Sequence, residues 1–146
     1  WRYSEHLFHS YGELWLARGD HAKALTYADE CLQLAEPNDS KKNIVKGRRL
    51  RGQALLAQGK LSESEKEMAT ALHIAQEIGN PPQLWKTYAA LGDLRQAQGQ
   101  TDDARHAYRD ALSVIDGVAA GLEDESLKEM FLSSNHVQDI RARYSG

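Results

Sequence analysis

The sequence has one cysteine, three prolines and no long apolar run, and each shortage excludes a class of protein. A single cysteine, Cys31, cannot form an internal disulfide, so we expect a reducing, cytoplasmic setting rather than a disulfide-stapled secreted domain. No apolar run reaches the ~18 residues that a membrane span needs, so we expect no membrane insertion. The amino end has neither an apolar signal core nor an initiator methionine, which favours a segment cut from a longer protein.

Motifs that carry catalysis are missing as well. The chain contains no phosphate-binding glycine loop, no nucleophile elbow and no Cys-x-x-Cys pair. Its formal net charge of -3 is too weak to attract nucleic acid or an anionic membrane through the overall field. The sequence therefore predicts neither an enzyme nor a cofactor-binding protein.

A period of 40 residues organises most of the chain. Five columns align in three copies: two glycines, then two small residues, then a leucine. In chain order the columns are Gly12, Gly52, Gly92; Gly19, Gly59, Gly99; Ala24, Ser64, Ala104; Cys31, Ala71, Ala111; and Leu32, Leu72, Leu112. Since Cys31 shares a column with two alanines, we interpret it as a packing residue rather than a nucleophile.

Each column has a physical reason that points to a helical hairpin. Apolar residues such as Leu84, Tyr88 and Leu91 precede the second glycine at helical spacing. The first glycine is expected to let a neighbouring helix backbone approach, and the second to end a helix in the left-handed conformation. The small residues that follow mark where a second helix crosses the first. The prolines, Pro37, Pro81 and Pro82, fall in the joints between units.

These columns resemble the tetratricopeptide repeat family over residues 4–121, with Trp15, Met68 and Tyr108 at positions for large residues. The resemblance implies an all-α, right-handed superhelical stack of three antiparallel helical hairpins, in 1–43, 44–81 and 82–121. A capping helix and tail would fill 122–146. The copies are longer than the usual ~34 residues, and Arg48 and Arg51 stand where large apolar residues are expected. Longer repeats of this kind are similar to those of large bacterial signalling proteins, where they follow an ATPase module or a cyclase.

The segment 122–132 is expected to form the capping helix, because Leu127, Phe131 and Leu132 give it an apolar edge. A terminal repeat exposes an apolar flank that such a helix must cover. The stretch 137–144 is interpreted as one more short helix or a frayed end.

Two clusters could carry chemistry. His6, His9 and Glu13 share one face of a helix, which suits a metal ion in principle, but a solvated or peptide-facing patch is the favoured interpretation. The second cluster is a basic run without any acid, Lys41, Lys42, Lys46, Arg48, Arg49 and Arg51. Nucleic-acid contact is the lesser alternative for it. The favoured interpretation pairs its arginines with acids of the next helix, namely Glu63, Glu65 and Glu67.

The resemblance implies a concave groove lined by the first helix of each unit. Its predicted peptide-binding residues are His6, His9, Glu13, Lys46, Arg49, Gln53, Lys86 and Asp93. The groove is positive in its middle, so we expect a helix or extended peptide that carries acidic residues. The leading hypothesis is a protein–protein interaction scaffold within a larger bacterial regulatory protein. Self-association, an inter-domain spacer and, less favoured, nucleic-acid contact through residues 41–51 remain the alternatives.

Overall fold

The structure is a computed structural model that describes the backbone of residues 2–146 and the side chains from Leu7 onward. Helices account for all the regular structure in this described part of the chain, and no strand occurs in it. In chain order they are α1 (Arg2–Ala17), α2 (His21–Ala35), α3 (Lys41–Ala57), α4 (Leu61–Ile78), α5 (Pro81–Ala97), α6 (Thr101–Ala120), α7 (Glu125–Leu132) and α8 (Asn135–Ser145).

The first six helices pair as three hairpins, which confirms the all-helical stack. Within each hairpin the two helices pack along their length, and the second helix also packs against the first helix of the next hairpin. The first helices α1, α3 and α5 contact one another in sequence and so form a continuous inner row. α3 begins at Lys41, three residues before the boundary expected at residue 44. This inner row is the surface on which the groove residues lie.

The second glycine column adopts the conformation that its position requires. Gly19, Gly59 and Gly99 have φ angles of +83°, +78° and +76°, and each lies two residues after the end of a first helix. L-residues rarely adopt this left-handed region, whereas glycine enters it without a steric penalty. These three turns set the length of each first helix and therefore the register of the groove.

The first glycine column admits a side chain, not the helix backbone that the sequence led us to expect. A Cβ atom at Gly52 would lie 3.0 Å from Cε of Met68, and one at Gly92 would overlap the ring of Tyr108. Both Met68 and Tyr108 are buried. These two glycines thus make room for the large residues of the second helix. A Cβ atom at either position would occupy the space that the Met68 or Tyr108 side chain fills.

The small-residue columns lie where the helices cross. Ala24, Ser64 and Ala104 have no exposed surface, and neither do Cys31 and Ala71. The hydroxyl of Ser64 donates to the carbonyl of Gly52 at 2.7 Å, so this polar residue is satisfied within a close crossing. Such positions have no room for a larger side chain, which is why the columns hold only small residues.

The capping role belongs mainly to α8, which corrects the assignment to residues 122–132. In α7 no residue is buried, and Leu127 and Met130 are exposed. In α8, Val137 and Ile140 are buried in one cluster with Ile115 of α6. The apolar edge of α7 contributes only Phe131 and Leu132, which pack partly against that cluster. The second short helix, α8, therefore closes the stack.

Ile140→Ala in α8 is therefore expected to cost about 2 kcal/mol of unfolding free energy, the usual loss for a truncated buried aliphatic residue. The matched change in α7, Leu127→Ala, should cost less than about 0.5 kcal/mol because Leu127 is exposed. Urea denaturation followed by circular dichroism measures both. Equal costs for the two variants would return the capping role to α7.

Candidate peptide-binding groove

The basic run of α3 divides into two faces of the helix. Lys42, Lys46 and Arg49 follow a spacing of four and three residues and face the concave side, while Arg48 and Arg51 face away from it. Residues three or four apart share a helix face, whereas adjacent residues do not. A run that looks continuous in the sequence is thus two separate surfaces.

The outer surface is neutralised by acids. Arg48 forms ion pairs with Glu36 at 2.5 Å and with Glu67 at 3.1 Å, and Arg51 pairs with Asp29 and Glu67. At the start of the helix Lys41 pairs with Glu77 at 2.5 Å. The expected pairing with Glu67 is present, whereas Glu65 pairs instead with Arg95 of α5, at 2.6 Å. Arg48 and Arg51 can occupy columns for large apolar residues because their heads reach these carboxylates while their stems cover the packed surface.

The inner surface holds cations that repel one another. Burial lowers the pKa of Lys46, and the positive charges of Lys42, Lys86 and Arg49 lower it further. Burial likewise lowers the pKa of Lys86, with Arg49 and Lys42 acting in the same direction and the carboxylate of Glu13 opposing them. A lowered lysine pKa means that the surroundings disfavour the protonated, positively charged form of that lysine. The middle of the groove is therefore short of negative charge.

Arg49 is the most constrained of these cations. Only 4% of it is exposed, and its Nη1 donates to the amide oxygen of Gln83 at 2.9 Å and to the hydroxyl of Thr87 at 3.2 Å. Both acceptors are neutral. Burial lowers the pKa of Arg49 to about 10, with Glu13 opposing the shift, so the guanidinium remains charged at pH 7. This burial could not be predicted from the sequence around Arg49, because Gln83 and Thr87 lie on another helix.

The acids of the groove are held by other groups. Glu13 lies 3.2 Å from Nδ1 of the buried His9. At the other end, Asp93 accepts from the hydroxyl of Tyr108 at 2.7 Å and from Nη1 of Arg143 at 3.0 and 3.1 Å. Burial, together with the hydrogen bond to Asp93, raises the pKa of Tyr108 well above its ordinary value, so this phenol stays a donor. Both carboxylates are thereby committed to contacts beside the inner cations.

Five of the predicted groove residues come together around one cavity of about 230 Å³, and these are Glu13, Arg49, Gln53, Lys86 and Asp93. His9 lies beside it through Glu13, and Lys46 belongs to the inner cation surface. His6 lies outside the residues whose side chains the structure describes.

The sequence did not predict that α8 forms the far wall of this cavity. Its residues His136, Ile140 and Arg143 face the cavity at a helical spacing of four and three. Trp85 of α5 also lines it and was not predicted. The spacing within α8 was a usable signal, but the helix falls outside the 40-residue period because α7 lies between it and the third hairpin.

Two further findings bear on what the site can do. Among the residues that the structure describes, no cluster of three histidines, cysteines or acids could hold a metal ion. Membrane-crossing length and hydropathy are likewise not combined in any helix of this described part.

Comparison with known proteins gives the same fold. Residues 47–115 match a family model described as tetratricopeptide repeat, from α3 into α6. Among solved structures, the TPR domain of Arabidopsis FLU is similar with a TM-score of 0.68, at 21% sequence identity, over 80% of this chain and 98% of that one. None of the curated proteins matches the chain. Residues 47–115 thus match the tetratricopeptide repeat family model, and the chain has the fold of a tetratricopeptide repeat domain over most of its length.

Proposed function

We propose that the chain is a protein–protein interaction scaffold that holds an acidic helix or extended peptide of its partner in the concave groove. The observation that carries the proposal is the convergence of four cations on one surface, Lys42, Lys46, Arg49 and Lys86. Burial and the neighbouring cations lower the pKa of both Lys46 and Lys86 there. The tetratricopeptide fold supports an interaction scaffold in general. The charge of this groove adds the chemical class of the guest.

A carboxylate that enters the groove would relieve two costs at once. It would offset the mutual repulsion of the inner cations, and it would replace part of the hydration that Arg49 and Lys86 lose through burial. Charge complementarity of this kind steers encounter and rejects partners of the wrong sign. A basic guest would meet repulsion at the same place, so acidic segments are favoured over basic ones.

Nucleic acid is a weaker match to the same charges. Half of the basic run, the outer surface with Arg48 and Arg51, is already paired with Glu36, Asp29 and Glu67. The inner cations lie on a concave face flanked by Glu13 and Asp93, whereas phosphate backbones need an extended row of cations. The inner surface therefore suits one short acidic segment.

The setting proposed for this scaffold is a larger bacterial regulatory or signalling protein in the cytoplasm. Support comes from the 40-residue period, which resembles the long repeats of such proteins, and from the single buried thiol of Cys31. In that setting the chain would recruit a partner to the rest of its parent protein.

A second candidate, self-association, has an observation of its own. Leu14 of α1 is 43% exposed, while its equivalents Ala54 and Leu94 in the next two hairpins have no exposed surface. Tyr11, one turn earlier, is also exposed. A second copy that covers this flank would bury the same positions that neighbouring hairpins bury elsewhere. Sedimentation of the wild type and of Leu14→Glu across a concentration series would show it as a mass increase that only the wild type undergoes.

The groove proposal is tested by reversing two inner cations. We expect Lys46→Glu/Lys86→Glu to weaken binding of a capped helical peptide rich in glutamate and leucine by roughly 100-fold, because each charge reversal is expected to cost about 1.4 kcal/mol in total, a factor of about ten. Fluorescence anisotropy of the labelled peptide measures the affinity.

The control variant, Lys60→Glu/Lys66→Glu, makes the same charge change at exposed sites of the second hairpin away from the groove and should bind within a few-fold of the wild type. A peptide with glutamine in place of glutamate should bind neither protein. Equal binding of the acidic peptide by both double variants would place the interaction elsewhere and reject the proposal.

A further inference from the structure

We propose that the cavity between Arg49, Lys86 and α8 is a pocket for one carboxylate side chain of the partner, with the carboxylate on the two cations and its apolar stem against Trp85 and Ile140. This inference rests on the proposed function and goes further: it assigns one anchoring residue type, a glutamate, to one pocket, and it makes α8 part of the binding site. The cavity, of about 230 Å³, holds far more than a single water molecule.

The buried guanidinium favours such a guest. Arg49 uses Nη1 for both of its hydrogen bonds, to Gln83 and Thr87, and it lines the cavity. Its Nη2 and Nε have no acceptor among the described residues, yet neither is a fully buried, unsatisfied atom of the described part. A guanidinium offers five donors, and a carboxylate is the acceptor that takes two of them at once. The remaining donors of Arg49 thus favour a carboxylate in the cavity.

The two acids that line the cavity already contact other side chains. Glu13 and Asp93 line the same cavity, but His9 holds the first, and Tyr108 and Arg143 hold the second. Neither is within ion-pair distance of Arg49 in the described residues. Glu13 acts on Arg49 and Lys86 through its charge, but no described carboxylate forms an ion pair with either cation. A guest glutamate would therefore complement their charge.

The cavity also has an apolar wall, which an anion without an apolar stem would not need. The ammonium of Lys86 lies 5.6 Å from the ring centroid of Trp85, so cation and indole form one corner. Ile140 of α8 faces the same cavity, and His136 stands 6.4 Å from Trp85 between ring centroids. Such a corner accommodates two methylene groups that end in a charge. Glutamate matches this arrangement better than inorganic phosphate, which has no stem.

The test uses the smallest molecule that carries this chemistry. N-acetyl-glutamate methylamide is titrated into the full chain while the indole N–H signal of Trp85 is followed by NMR, with the glutamine analogue and inorganic phosphate as comparison ligands. We expect a saturable shift with a midpoint in the millimolar range for the glutamate derivative. The glutamine analogue and phosphate should leave the signal in place.

Variants locate the site. Lys86→Gln should weaken the glutamate derivative by roughly tenfold, the loss of one charge-assisted hydrogen bond, and Lys60→Gln should not change it. Asp93→Asn keeps an acceptor for Tyr108 but removes a negative charge from the cavity, so it should tighten binding several-fold. Unchanged or weaker binding by Asp93→Asn, or a phosphate shift equal to that of the glutamate derivative, would overturn the pocket assignment.

The groove and the pocket can fail separately. If the long acidic peptide binds through Lys46 and Lys86 but the glutamate derivative leaves the Trp85 signal unmoved, the scaffold proposal stands and the pocket proposal is wrong. If neither ligand binds, both are wrong. Binding of both ligands, with the shift at Trp85 lost in Lys86→Gln, supports both.

Discussion

Replacing Ala71 by tryptophan is expected to lower the free energy of unfolding by about 3 kcal/mol, at the upper end of what overpacking costs. Ala71 has no exposed surface and lies in a cluster with Val45 and Ala75, where α4 crosses α3. The indole could fit only if the two helices moved apart. That movement would also open the contacts of Ile74 and Leu84 with the same cluster.

A matched variant makes this result specific to the crossing. Ala69→Trp adds the same side chain two residues earlier on α4, where the helix is exposed, and should change stability by less than about 0.5 kcal/mol. Thermal unfolding by circular dichroism should then show a midpoint roughly 10 °C lower for Ala71→Trp alone. Equal midpoints for the two variants would mean that the repeat register assigned to column Cys31, Ala71, Ala111 is wrong.

The features that could be predicted correctly are those in which the backbone conformation or the packing space at one position restricts the residue type. Gly19, Gly59 and Gly99 follow from the left-handed turn that ends each first helix, and the small residues follow from helix crossings. Both restrictions act on the residue itself and recur every 40 positions, so three copies display them. The stack and the inner row of helices could be predicted for this reason.

The role of α8 could not be predicted because it depends on an interruption of the repeat. Its groove positions His136 and Arg143 lie 50 residues after Lys86 and Asp93, where the period calls for 40. The ten extra residues accommodate α7, and α8 carries none of the glycine columns. Periodicity alone therefore ends at the third hairpin, and only packing shows which helix follows it in space.

Burial of the groove cations could not be predicted from the sequence either. Lys46, Arg49 and Lys86 were found by register, but nothing in the run 41–51 indicates that Arg49 alone is enclosed. Its environment comes from Gln83 and Thr87, 34 and 38 residues away on α5. The division of the run into two faces, in contrast, was available, because a helix separates Arg48 from Arg49 by about 100°.

Arg49→Met is expected to leave the chain as stable as the wild type or up to about 1 kcal/mol more stable, while acidic-peptide binding is lost. The methionine removes a buried charge whose described partners are neutral, and it keeps most of the side-chain volume. Thr87 stays satisfied, since its hydroxyl also donates to the carbonyl of Gln83 at 2.6 Å. The buried amide oxygen of Gln83 loses its donor, which offsets part of the gain and limits it to this range. Urea denaturation and peptide anisotropy measure the two quantities on the same samples.

Two comparison variants separate charge from packing at this position. Arg49→Glu buries a carboxylate in the same place and should cost about 3 kcal/mol, so binding tests with it would confuse unfolding with lost affinity. Arg48→Met makes the same change on the outer surface. There Glu67 keeps its pair with Arg51, so we expect a stability loss below about 1 kcal/mol and unchanged peptide binding.

The combination expected for Arg49→Met is the signature of a residue kept for binding rather than for folding. A structural arginine would lose stability on substitution, because its removal leaves partners without their counter-charge, as Glu36 would be left in Arg48→Met. A binding arginine carries a desolvation cost in the free protein that the guest offsets, so its removal relieves the cost and abolishes the affinity together. A marked loss of stability in Arg49→Met with binding intact would assign Arg49 to the core, and the groove would then depend on its lysines alone.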